Sequence, residues 1–78
     1  MRWFIKRETF RRPAAELKQA IAAHKRWVAD CREQGIEISS GFLVDGEGKP
    51  GGGGLLLLQA SDYDAALTLV QQDPMLLS

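Results

Sequence analysis

One cysteine, one histidine, three prolines and no apolar run of membrane-spanning length are the first features of this 78-residue chain. Each scarcity excludes something. A lone Cys31 forbids an intrachain disulfide and points to a reducing, cytoplasmic setting. The longest aliphatic run, Leu55–Leu58, is far too short for a membrane helix, and Met1–Phe10 mixes charge into its apolar residues and offers no signal-peptide core. Ten basic and ten acidic side chains cancel, so no net positive field favours nucleic acid. Basic residues do gather at Arg2, Lys6, Arg7, Arg11 and Arg12 and at Lys25, Arg26 and Arg32, but without the aromatic interleaving of a single-strand binder. Metal ligands are equally thin. His24 and Cys31 lie seven residues apart, two helical turns, so no metal and no cofactor is expected.

What is present is a long amphipathic segment. Pro13–Gln34 carries Leu17, Ile21, Val28 and Cys31 on one stripe, with His24 in its middle. At about 100° per residue these five positions share an arc of roughly 80°. Glu16, Lys18, Gln19, Lys25, Arg26, Arg32 and Glu33 occupy the opposite face. Pro13 suits a first helical turn, and Gly35 suits the left-handed position just past the last.

The flanking segments alternate with period two. Arg2–Phe10 reads as a strand, apolar on both faces early and polar later, and Ile36–Val44 as a second strand, with Gly41 inside it suggesting a bulge or a close approach. Asp45–Gly54, rich in glycine, reads as a loop. Leu55–Ala60 is short and continuously apolar, as a buried central strand would be, and with the preceding strand it forms a hairpin. Ser61 is placed as the N-cap of a second helix that continues through Gln72 and stops at Asp73-Pro74. Tyr63, Ala66, Leu67 and Val70 share its apolar face, and the terminal Met75–Ser78 is apolar enough to be expected to pack on the sheet or a partner.

Residues 1–78 thus make one α+β domain of ferredoxin-like β-α-β-β-α(-β) order, an antiparallel sheet with two helices on one face. The final strand is missing or supplied by a partner. Apolar burial and chain ordering each come to on the order of 110 kcal/mol for a chain this small, and cancel. Together with the uncovered sheet face, that balance predicts a homodimer or higher homo-oligomer.

The ordered set of an aromatic first strand, His24 mid-helix, Ser40-Gly41-Phe42 followed by Asp45, Gly54 before the third strand, and Asp73-Pro74 after the second helix resembles the YciI-like (YCII-related) family of the dimeric α/β-barrel superfamily. Phe42 stands where that family usually has proline, and the family continues through a glycine into a fourth strand. The resemblance spans nearly the whole chain. It implies a His/Asp pair in a cleft between helix and sheet, with His24 beside Asp45 or Asp73, and proton-transfer chemistry of isomerase or lyase type on a small organic molecule. Some relatives are similar to muconolactone isomerases and to a dehydrochlorinase. The competing reading is a non-catalytic dimerisation or ligand-binding module, in which Asp45 opens a turn with Gly46 and Asp73 caps the turn before Pro74. Burial of His24 alone would favour the neutral imidazole, whereas a neighbouring carboxylate would favour the charged one.

Overall fold

The structure, a computed structural model, describes residues 1–77, with side chains throughout except at 14, 50, 51, 76 and 77. The elements follow as β1 (Arg2–Thr9), a 3-10 turn (Ala14–Leu17), α1 (Lys18–Glu33), β2 (Ile38–Val44), β3 (Pro50–Ala60), α2 (Tyr63–Val70) and a second 3-10 turn (Pro74–Leu77). This is the α+β, ferredoxin-like order. The three strands form one antiparallel sheet in the order β1-β3-β2, and among the described residues there is no fourth strand.

The long amphipathic segment forms two pieces. Pro13, extended at φ −56° and ψ 146°, precedes a 3-10 turn and not the first turn of the α-helix, the Glu16 N–H donating to the Pro13 carbonyl at 2.9 Å. Regular α-helix begins at Lys18. The other end is a Schellman cap. Gly35 takes φ +88°, its N–H donates to the Arg32 carbonyl at 3.0 Å, and the Ile36 N–H donates to the Cys31 carbonyl at 3.0 Å. Ile36 is then turned onto the core.

The glycine run is where the sequence reading needs correction. Residues 50–54 are the first half of β3, paired with β1 and β2, and the connecting turn is only Asp45–Lys49. Close approach of backbones explains Gly53 and Gly54, and a left-handed φ of +84° explains Gly52. A Cβ at Gly53 would sit 2.3 Å from the Glu8 carbonyl oxygen, and one at Gly54 would sit 3.1 Å from that of Gly41. The shift in pairing between Phe42 and Val44 is a bulge beside Gly41.

Register decides which side chains are covered. Phe4 and Ile38 both lie opposite Leu58, and Lys6 and Ser40 both opposite Leu56, so these positions share the helix-covered face. The core is Leu56, Leu58 and Ala60 of β3, Ile38 of β2, Val28 and Cys31 of α1, and Ala66 and Val70 of α2. Both helices therefore cover one face of the sheet. Burial holds the Cys31 thiol above its ordinary range, with the negative charges of Asp30 and Asp73 adding to the effect. On the other face Trp3 (53 % exposed), Ile5 (67 %) and Leu55 (40 %) remain open.

The second helix begins one residue later than Ser61 suggested. Asp62 is the N-cap, extended, with its carboxylate accepting from the Ala65 N–H at 2.8 Å. Tyr63 and Leu67 stay exposed while Ala66 and Val70 are buried. Met75 is partly buried, whereas the side chains of residues 76 and 77, and Ser78 entirely, lie outside the described residues, so that packing expectation is met only as far as Met75. None of the described helices is long and apolar enough to cross a membrane.

Candidate functional site

The stripe of α1 lies against the sheet, and His24 reaches past its aliphatic neighbours to a cleft between helix and sheet. The cleft measures about 360 Å³ and is walled by Phe10, Ile21, Val28, Phe42, Leu56 and Met75, with Glu8, His24, Lys25, Arg32 and Ser40 as its polar lining. That volume is within the usual range for a small organic ligand.

Both imidazole nitrogens are engaged. Nδ1 lies 2.6 Å from Oδ1 of Asp73, and Nε2 lies 2.9 Å from Oγ of Ser40. The His24 side chain is 12 % exposed and the Asp73 side chain is fully buried. Of the two aspartates the sequence offered, the fold brings Asp73 to His24. Asp73 follows α2, where its N–H donates to the Val70 carbonyl at 3.0 Å, and the tight Asp73-Pro74 turn directs the carboxylate inward. Asp73 also caps that turn, accepting from the Met75 N–H at 3.0 Å. Asp45 is spent on its own hairpin, where Oδ1 accepts from the Glu47 and Lys49 N–H groups at 2.8 and 3.1 Å, exposed to solvent. No contact joins Asp45 to His24 among the described residues.

Charge fixes the proton positions. Burial alone would raise the Asp73 pKa, but the hydrogen bonds from His24 and from the Met75 amide outweigh it and hold the carboxyl below its ordinary value, with smaller help from the charge on the imidazole. An ionised carboxylate only accepts, so Nδ1 must carry the hydrogen. In the neutral imidazole Nε2 is then a bare acceptor, and the Ser40 hydroxyl donates to it. Among the described residues Oδ2 of Asp73 is buried without a hydrogen-bond partner, leaving negative charge available to stabilise an imidazolium. The ring of Trp27 flanks His24 at 5.9 Å.

The site has members that the sequence reading did not assign. Ser40 lies between Ile38 and Phe42 on the inward face of β2, a polar residue in an apolar alternation. Glu8 is its counterpart on β1, inward between Lys6 and Phe10, and its carboxylate pairs with the Lys6 ammonium at 2.8 Å. That inward-facing polarity is the signal that could have found both. Arg32 holds the cleft together from the helix, its Nε donating to the Ile38 carbonyl at 2.9 Å. Among the described residues no group of three His, Cys, Asp or Glu side chains could hold a metal ion.

A small antiparallel sheet with two helices on one face and an imidazole–carboxylate pair in the cleft between them defines an α+β domain of ferredoxin-like type with a polar site. The model of the YCII-related domain matches residues 1–78, and the chain belongs to that family. Comparison with curated proteins and with solved structures gave no match.

Proposed function

We propose that the protein moves a proton on a small organic molecule, in an isomerisation or elimination, with His24 as the base and Asp73 as the group that orients it and balances its charge. The observation that carries this reading is the 2.6 Å contact between Nδ1 of His24 and a fully buried carboxylate, at the wall of a ligand-sized cleft. An imidazole so held presents Nε2 to the cleft, and a base of this kind contributes about 10²–10⁴-fold to a proton transfer. The apolar walls favour a substrate with a hydrocarbon or aromatic body. Asp45, the other aspartate the resemblance allows for this role, has its carboxylate committed to the hairpin turn.

The test is exchange of carbon-bound hydrogen in D2O, followed by NMR, over small unsaturated lactones, with halide release followed for ring-halogenated hydroquinones, whose keto tautomers carry the carbon-bound hydrogen that leaves with the halide. Turnover of a panel member by the wild type, lost in His24→Gln, is the expected result. No turnover of any member would favour the competing reading, a binding or dimerisation module. The open sheet face supports a second element of the proposal, that a second copy covers Trp3, Ile5 and Leu55. Sedimentation of the wild type as a dimer and of Ile5→Lys as a monomer would bear that out, and a compact wild-type monomer at micromolar concentration would refute it. The buried Cys31 thiol supports a reducing, cytoplasmic setting.

A further inference from the structure

We infer that Ser40 is a nucleophile, and that the cleft can hydrolyse a small carboxylic ester with an apolar body through an acyl-Ser40 intermediate. The inference rests on the reading of His24 as a base and extends it to a second kind of reaction. Three side chains from three separate parts of the fold line up: Asp73 Oδ1 to His24 Nδ1 at 2.6 Å, and His24 Nε2 to Ser40 Oγ at 2.9 Å. The order carboxylate, imidazole, hydroxyl, with the imidazole bridging through its two different nitrogens, is the arrangement by which a serine is activated, and it is recognised by geometry whatever the fold. Because the ionised carboxylate assigns the hydrogen to Nδ1, the hydroxyl hydrogen already points at Nε2. Ser40 is exposed, on the wall of the cleft. The other candidate nucleophile, Cys31, is buried in the core between α1 and the sheet.

The step balances within the site. Ser40 Oγ forms a bond to the ester carbonyl carbon as its proton passes to His24 Nε2, and the carbonyl π electrons move to oxygen. Lys25 lines the same cleft with no ionic or hydrogen-bond partner among the described residues, and its ammonium is the positive charge available to that oxyanion. Reformation of the carbonyl breaks the bond to the leaving oxygen, which takes the proton from His24 and departs as the alcohol. Water, deprotonated by His24, then attacks the acyl-Ser40, and collapse returns the proton to Oγ and releases the carboxylic acid.

The probe is p-nitrophenyl butyrate. Wild-type protein is expected to release a burst of nitrophenolate, and mass spectrometry of the acid-quenched protein to find the butyryl group on the peptide carrying Ser40. Ser40→Ala should lose the adduct, His24→Gln should slow the burst by about 100-fold or more, and Ser40→Cys should keep an adduct at position 40. Butyrylation of His24 or Lys25 in place of Ser40, an adduct that persists in Ser40→Ala, or no adduct at all would each overturn the inference. Hydrogen exchange or halide release by the wild type without an acyl-Ser40 would overturn it while leaving the proton-transfer reading intact. Failure of both assays would remove both.

Discussion

Replacing Asp73 by Asn tests the centre of the site, because it keeps the shape of the side chain and removes only its charge. Two donors converge on Oδ1, His24 Nδ1 at 2.6 Å and the Met75 amide at 3.0 Å. A hydrogen bond to a charged group contributes about 1.5–3 kcal/mol net, against about 1 kcal/mol for a neutral pair. The amide oxygen of Asn can still accept from both, so the loss is charge assistance, together with burial of an NH2 group where Oδ2 now has no partner. About 2 kcal/mol follows. A chain this size has a total stability of about 4–12 kcal/mol, and each kcal/mol is worth about 4–8 °C in Tm, so Asp73→Asn should melt about 8–16 °C lower near neutral pH. The sign of the pH dependence is set by the lowered Asp73 pKa. A carboxyl whose pKa is depressed on folding contributes stability above its unfolded value of about 3.9, and that contribution is lost as pH falls through the folded value. Urea melts of wild type and Asp73→Asn from about pH 7 to about pH 2.5 should therefore show a gap that closes at the acid end. Contributions of carboxyl groups remote from the site cancel in the difference. A gap below about 0.5 kcal/mol near neutrality, or one that persists unchanged into acid, would refute a buried, ionised Asp73.

Gly53→Ala should cost more than about 3 kcal/mol or prevent folding, because its Cβ would meet the Glu8 carbonyl oxygen of the paired strand. Gly41→Ala, with open space around the added methyl, should fall within about 0.5 kcal/mol of wild type in the same denaturant titration. Asp62→Ala should lower stability by about 1 kcal/mol through loss of the bond to the Ala65 amide, while Ser61→Ala leaves the urea midpoint nearly unchanged. Direct ¹⁵N NMR of the neutral imidazole of His24 should show hydrogen on Nδ1 and a bare Nε2. The opposite tautomer would place the hydrogen between His24 and Ser40 and contradict an ionised Asp73.

The elements of this protein are local in origin, and local patterns made them legible. The 3.6-residue stripe through Leu17, Ile21, His24, Val28 and Cys31 specifies an amphipathic helix, and Gly35 specifies where it ends, because only neighbouring residues are involved. Strand alternation likewise reveals β1 and β2, and a short continuous apolar run reveals the second half of β3. The glycine run misleads because its cause is not local. Gly53 and Gly54 are small so that the Glu8 and Gly41 backbones can approach them, and nothing within residues 50–54 says so. The site is divided in the same way. His24 stands out in the sequence as a polar residue on an apolar stripe, but Asp45 and Asp73 are equal candidates there, each beside a turn. Only the tertiary structure separates them, by returning the chain after α2 so that a carboxylate 49 residues away meets Nδ1 in a buried contact, while Asp45 stays at a solvent-exposed hairpin. Strand register completes the site by turning Ser40 inward opposite Leu56, where its hydroxyl meets the second nitrogen of the imidazole. Contacts between residues distant in the chain depend on register and on the path of the connecting turns, and a shift of one residue in β2 would carry Ser40 to the other face of the sheet.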